Sequence, residues 1–153
     1  MAKAKMTIEK LKKMVGREGK PVVIEVEKGM IRRFAEAVND PNPLWQDEEY
    51  ARKSRYGGIV GPPPILCAAM MAGQSLFELI PELPGKRMLD RGGEWEFFLP
   101  IKPGDIITAT TRLSRVVESE GRLGKMILVV TETTHTNQRM EVVARSQGML
   151  VVY

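Results

Sequence analysis

The chain has 153 residues, 43% of them hydrophobic and 27% charged, the size and balance of one ordinary globular domain that can bury a core without staples. Its net charge of +4 comes from lysines and arginines scattered among acids. This lacks the basic stripe and aromatic platforms that nucleic-acid binding needs, and suits a small anionic ligand. A lone cysteine, Cys67, rules out an intrachain disulfide, one cysteine with one histidine makes no metal site, and no apolar run reaches the roughly 18 residues of a membrane span.

No apolar signal core follows the basic stretch Met1–Met6, so a reducing cytoplasm is the expected location. One domain over residues 1–153 is expected, with no cofactor. The first half reads as helical and irregular. Thr7 is placed to cap a short helix over Ile8–Val15, with Gly16 ending it. Pro21–Glu27 reads as a strand with Val22, Ile24 and Val26 on one face. From Gly29 to Val38, Ile31, Phe34, Ala35 and Val38 keep helical spacing, which predicts one buried face. Asn39-Asp40-Pro41-Asn42-Pro43 stops that helix, because proline and the residue before it disfavour the α region. Asp47–Arg55 reads as a short surface helix of mixed charge.

Gly57–Pro64 is a stiff loop, and a helix is expected from about Pro64 to Ile80, with Pro81–Gly85 ending it. Proline suits its first turn. Ile65, Leu66, Cys67, Met70, Met71, Leu76 and Phe77 make it apolar nearly all round, so every face needs a cover. Four long strands follow over Arg87–Leu99, Asp105–Glu118, Lys125–Thr136 and Glu141–Val152, separated by turns at Pro103-Gly104-Asp105, Glu120-Gly121-Arg122 and Asn137-Gln138-Arg139. Trp95, Phe97 and Leu99 alternate with Glu94, Glu96 and Phe98, and Ile107, Ala109, Thr111 and Leu113 alternate with polar residues. Such alternation implies an antiparallel sheet with one face more buried than the other. The fold class is α+β. One buried helix and a long meander satisfy each other when the sheet curls around the helix, which is the hot-dog arrangement. The uncovered remainder makes a dimer the expected remedy.

Several segments together resemble the MaoC-like acyl dehydratases, and most of all their N-terminal-type, FAS1-like dehydratase domain. They are Phe34–Trp45, with Asp40-Pro41-Asn42-Pro43-Leu44-Trp45 set against the family's Asp-x-Asn-Pro-x-His; Gly57–Pro64, where the family enters its central helix; Phe98–Asp105, ending in Pro-Gly-Asp; and Asn137–Ala144. The resemblance covers about residues 16–153. It implies reversible addition of water to a trans-2-enoyl thioester. An Asp and a His hold and activate the water, while a backbone N–H at the start of the central helix polarises the thioester carbonyl.

On that resemblance Asp40 takes the aspartate's place, Asn42 and Pro43 match, and Trp45 stands where the histidine belongs. An indole only donates and takes no proton from water. If Ile59-Val60 aligns with the family's apolar pair, the oxyanion donor falls at about Pro62, which has no N–H; a shift of one residue brings Gly61 there. The candidate catalytic residue is therefore Asp40, and the candidate substrate-binding residues are Asn42, Trp45, Gly61 and Met70. Each has a plainer role open to it. Asp40 suits a turn, Trp45 and Met70 suit packing, and Cys67 suits the core. Arg52, Lys53 and Arg55 suit either coenzyme A phosphates or a solvated face. The single histidine, His135, near a strand end, is expected in solvent or satisfying a turn. The resemblance implies a subunit that binds an acyl-CoA or acyl-carrier-protein thioester. Such a subunit is a degenerate half that works, as a homo- or heterodimer, with a catalytic MaoC-type chain. The alternatives are a self-sufficient (R)-specific enoyl-CoA hydratase using Asp40, and a non-enzymatic acyl-CoA-binding protein.

Overall fold

The computed structural model describes residues 6–72, 79–80, 87–121 and 124–153, and of residues 69–72 the backbone alone. Helix α1 (Ile8–Lys12) opens where the Thr7 hydroxyl accepts from Lys10 N at 3.3 Å. It is shorter than the periodicity predicts, and turns carry the chain from Lys13 to Gly16, where φ is +88°. Leu11 is the residue α1 buries. Strand β1 (Val22–Glu25) alternates half-buried and exposed positions and leads to the buried Val26, as its period-two pattern requires.

Helix α2 (Lys28–Ala37) buries Ile31 and Ala35 and half-buries Phe34. Val38, expected on the same face, is 53% exposed. The helix has ended before it, so Val38 no longer follows the helical rotation. Helix α3 (Glu48–Lys53) starts where the Asp47 carboxylate accepts from Tyr50 N at 3.0 Å. Acids sit in its first turn and basic residues in its last, complementing the helix dipole. Helix α4 (Ile65–Ala72) begins within the predicted span. The continuation predicted to Ile80 and the Pro81–Gly85 stop fall largely outside the described residues.

The four predicted long strands are present as β2 (Met88–Phe97), β3 (Ile106–Gly121), β4 (Gly124–Thr136) and β5 (Val142–Val152). With β1 they form one antiparallel sheet, in the order β1-β3-β4-β5-β2, curled into a half-barrel. Ile107, Ala109, Thr111 and Leu113 are all buried, so the alternation of β3 holds in the fold. That of β2 is weaker. Trp95 is half-buried, but Phe97 and Leu99 are 41% and 38% exposed, because β2 is an edge strand with a neighbour on one side only. Two turns are tied to each other. Asp105 accepts from Lys102 N at 2.8 Å and from the Gln138 amide at 3.1 Å, and the Gln138 carbonyl accepts from Ile106 N.

Two apolar clusters hold the elements. One joins Val26, Ile31 and Ala51 to Ile65 and Leu66 of α4 and to Ile107, Val143 and Ala144 of the sheet. The other joins Leu11 to Leu79, Ile80, Leu113 and Val129 at the far end. The start of α4 is thus enclosed by α2, α3 and the concave side of the sheet. Among the described residues no helix is long and apolar enough to cross a membrane.

The pairing of β2 with β5 depends on Gly93, where an added Cβ would lie 2.4 Å from the Gln147 carbonyl oxygen. Gly93→Ala should cost about 1–3 kcal/mol, because backbone rather than a flexible side chain must yield. Gly58→Ala meets open space and should stay within about 0.5 kcal/mol of the parent. Urea denaturation of the two variants measures the contrast, and equal stabilities would rule out the close approach.

Candidate functional site

The turn after α2 gathers three of the candidate residues. Asn39 adopts φ +53°, a left-handed conformation that asparagine tolerates, and Asp40 N then donates back to Ala35 O at 2.9 Å. With the helix closed, both oxygens of the half-buried Asp40 carboxylate are engaged. Oδ1 accepts from Asn42 N at 3.1 Å, and Oδ2 accepts from the Trp45 indole Nε1 at 2.8 Å. Asn42 repeats the motif one step on, its Oδ1 accepting from Leu44 N at 3.0 Å and capping the 3-10 turn Pro43–Trp45. Asp40 and Asn42 therefore serve the turn. Trp45 packs against the first apolar cluster while its N–H points at the carboxylate.

The approach to α4 lies beside this turn. Val60 N donates to Leu44 O at 3.3 Å, which joins the two loops. Gly61 N donates to Ile101 O at 2.7 Å, so this N–H is already engaged. Pro62, Pro63 and Pro64 have none to give. Ile65 N, Leu66 N and Cys67 N return to the carbonyls of Pro62, Pro63 and Pro64. From Val60 to Cys67 every backbone N–H is committed.

Trp45 and Gly61 line a common cleft of about 280 Å³. Its other walls include Arg55, Tyr56, Phe97 and Phe98. The sequence flagged Arg55 only for its charge, and here its Nη2 donates to the Tyr56 hydroxyl at 2.6 Å. Lys53 instead pairs with Glu49 on the surface of α3. Tyr56, Phe97 and Phe98 were not singled out, because nothing in their spacing links a loop at residue 56 to a strand end at residue 97. A larger hollow, about 640 Å³, lies on the outer face of the sheet among Glu94, Glu96, Arg112, Glu132 and Arg145. It is open and walled by charges, with Arg112 and Glu132 paired at 2.6 Å, and the Asp40 turn contributes nothing to it. The smaller, half-apolar cleft is the better candidate site. Met70 lies on α4, and its side chain is outside the described residues.

His135 corrects an expectation. It is fully buried on β4, paired with Ala109 and Ala144, and its ring lies 5.1 Å from that of Trp95. Nε2 is 3.4 Å from Ser146 Oγ, and Nδ1 has no hydrogen-bond partner among the described residues. The strand ends at Thr136 as predicted, but β3 and β5 flank it up to that end, and period two turns His135 inward. Burial alone lowers its pKa from 6.5 to about 4.

A family model described as the FAS1-like, dehydratase domain region matches residues 13–146. The chain belongs to this family. A UPF0336 protein of Thermobifida fusca is 31% identical over 134 residues, 86% of each chain. A probable enoyl-CoA hydratase alpha subunit of Thermomonospora curvata is 31% identical over 137 residues, 80% of this chain but 43% of that protein, so the chain spans less than half of that relative. Among solved structures, the MaoC-like dehydratase from Rhodospirillum rubrum superposes with a TM-score of 0.72 at 30% identity, covering 91% of this chain and 92% of its own. The ChsH1–ChsH2 complex from Mycobacterium tuberculosis gives 0.79 at 21% identity, covering 95% and 88%, a likeness of fold. The hot-dog expectation for this FAS1-like dehydratase domain therefore holds.

His135 gives a pH test. Its folded pKa of about 4 lies below the unfolded 6.5, so between those values the unfolded chain binds the proton more tightly. Stability is therefore lost as pH falls through that window. The loss attributable to this residue should be about 2–3 kcal/mol between about pH 7 and pH 4.5. Denaturant titrations of the parent and His135→Gln isolate it, since the variant should lose less on acidification. Parallel losses in the two proteins would show that His135 is not titrating from a buried neutral state.

Proposed function

We propose that this chain is the acyl-thioester-binding, non-hydrating half of a MaoC-like dehydratase, and that it works beside a catalytic MaoC-type subunit. The observation that carries this reading is the Trp45 N–H bonded to Asp40 Oδ2 at 2.8 Å. Hydration needs a base that takes a proton from water as the oxygen attacks. Here a donor-only ring occupies the place of the family's histidine and takes up a lone pair of the carboxylate. Hydration also needs a donor for the charge that develops on the thioester oxygen. Gly61 N–H is spent on Ile101 O, and prolines fill the next three positions. Reactivity at this turn would require the local hydrogen bonding to be dismantled first.

The comparisons support a partnered arrangement. One relative is named as the alpha subunit of a probable enoyl-CoA hydratase, and one fold neighbour is a two-protein complex. The edge strand β2 exposes Met88 and Leu89, a surface suited to a second hot-dog domain. The ligand is an acyl thioester of coenzyme A or of a carrier protein, bound in the cleft at Trp45 and Gly61.

Enoyl absorbance with crotonyl-CoA and longer enoyl-CoAs, read for the chain, an intact MaoC-type partner and their mixture, tests the reading. Loss of the base should cost ~10²–10⁴-fold, and loss of the oxyanion donor a further ~10²–10³-fold. The lone chain should therefore be inactive, and the mixture should turn over bulky substrates that the partner alone handles poorly. Asp40→Asn should weaken the turn by about 1–2 kcal/mol yet leave the mixture's turnover unchanged. Turnover by the lone chain that Asp40→Asn abolishes would establish a self-sufficient hydratase instead. Acyl-CoA binding without turnover in any mixture would establish a binding protein.

A further inference from the structure

Aromatic residues are scarce here: four phenylalanines, three tyrosines and two tryptophans in 153 residues. Four of them, Trp45, Tyr56, Phe97 and Phe98, line the one cleft beside the Asp40 turn. They come from three separate parts of the chain, so the concentration is a product of folding and not of a local sequence run.

Each of the four rings has a second group against it. Trp45 is fixed by its bond to Asp40. The Tyr56 hydroxyl accepts from Arg55, whose guanidinium carbon also lies 4.8 Å from the ring centroid. Phe97 stacks on Trp95, with centroids 5.7 Å apart and 12° between the planes. Phe98 carries the Arg145 guanidinium 5.7 Å from its centroid. Val60, Gly61, Pro63, Leu99 and Pro100 make up the remaining wall with Arg55, and none of the chain's ten methionines is among its described lining.

Walls of this kind select for shape. A pliable wall of methionine adapts to a flexible chain. Aromatic rings offer faces and edges that pair best with another ring, through stacked or edge-to-face contact. A planar ring also has no internal rotation to lose on entry, whereas an alkyl chain must freeze each of its bonds. The cleft's volume of about 280 Å³ lies just under the roughly 300–1,000 Å³ of ordinary ligand pockets. That is room for one compact ring system in a cleft that is open to solvent on one side.

We infer that the acyl group taken by this cleft carries a planar unsaturated ring close to the thioester, so that the ligand is an aryl-substituted acyl thioester and not a straight aliphatic one. The inference rests on the acyl-thioester reading above and narrows it.

Calorimetric titration of the full chain with 3-phenylpropanoyl-CoA, nonanoyl-CoA and free coenzyme A tests it. The two acyl groups have the same number of carbons, and the coenzyme is common to both, so its contribution cancels. Burial of apolar area alone would favour the longer nonanoyl chain. The expected result is 3-phenylpropanoyl-CoA binding about tenfold more tightly than nonanoyl-CoA. Phe98→Leu should bring the two within about twofold while the thermal unfolding curve stays close to the parent's, because Phe98 is half exposed and outside both apolar clusters. Phe97→Leu provides a second variant with the same expected loss of preference. Equal binding of the two, or tighter binding of nonanoyl-CoA, would overturn the ring inference and leave the acyl-thioester reading standing. A preference that survives both variants would overturn the assignment to this cleft. Acyl-CoAs that bind no better than free coenzyme A would overturn the acyl-thioester reading itself.

Discussion

The fold turns on how the start of α4 is enclosed. Ile65 and Leu66 are buried among Val26, Ile31, Ala51, Ile101 and Val143, so one short stretch touches α2, α3 and the sheet together. The hydrogen bond from Gly61 N to Ile101 O sets where that stretch begins, and the three prolines after it hold the approach stiff. A sheet that covers such a point on more than one side must curl, and the bulges in β2, β3 and β5 accompany that curvature.

The same enclosure shapes the chemistry of the candidate site. A chain that anchors its helix start through Gly61 N–H leaves no donor there for a developing oxyanion. A chain that fixes its preceding turn through Asp40 leaves little of that carboxylate for water. Both arrangements strengthen the structure by ordinary hydrogen bonding, worth about 0.5–1.5 kcal/mol each for neutral pairs and more for a carboxylate. Stability and hydration therefore draw on the same few polar groups. Binding is exempt from this conflict, since it draws on ring faces and not on N–H groups. Under the proposed function, this difference lets the cleft bind an acyl group although the dyad does not form.

The sheet interior carries its own polar content. The Thr111 and Thr133 hydroxyls meet at 2.8 Å across β3 and β4, which satisfies two buried groups at once. His135 is less fully served, with a long contact to Ser146 and a ring packed on Trp95. Trp95 in turn stacks on Phe97 at the cleft wall. The buried histidine and the cleft are thus joined by one run of rings, although the histidine itself does not line the cleft.

By itself, the sequence determined the elements and the family. Val, Ile and Thr alternation specified four long strands, and Pro-Gly-Asp and Asn137 specified turns. The segment around Asp40 carried the resemblance that the family match bears out. These are local properties, fixed by period, turn chemistry and spacing along the chain. Only the tertiary structure decided which groups are free. The bond from Gly61 to Ile101 spans forty residues and has no signature in either segment. His135 looked exposed because threonines surround it, yet strand period and the neighbouring β5 bury it. The cleft escaped the sequence for the same reason. Tyr56, Phe97 and Phe98 meet Trp45 only because loop, turn and strand end converge, and burial and hydrogen-bond commitment depend on everything packed around a residue.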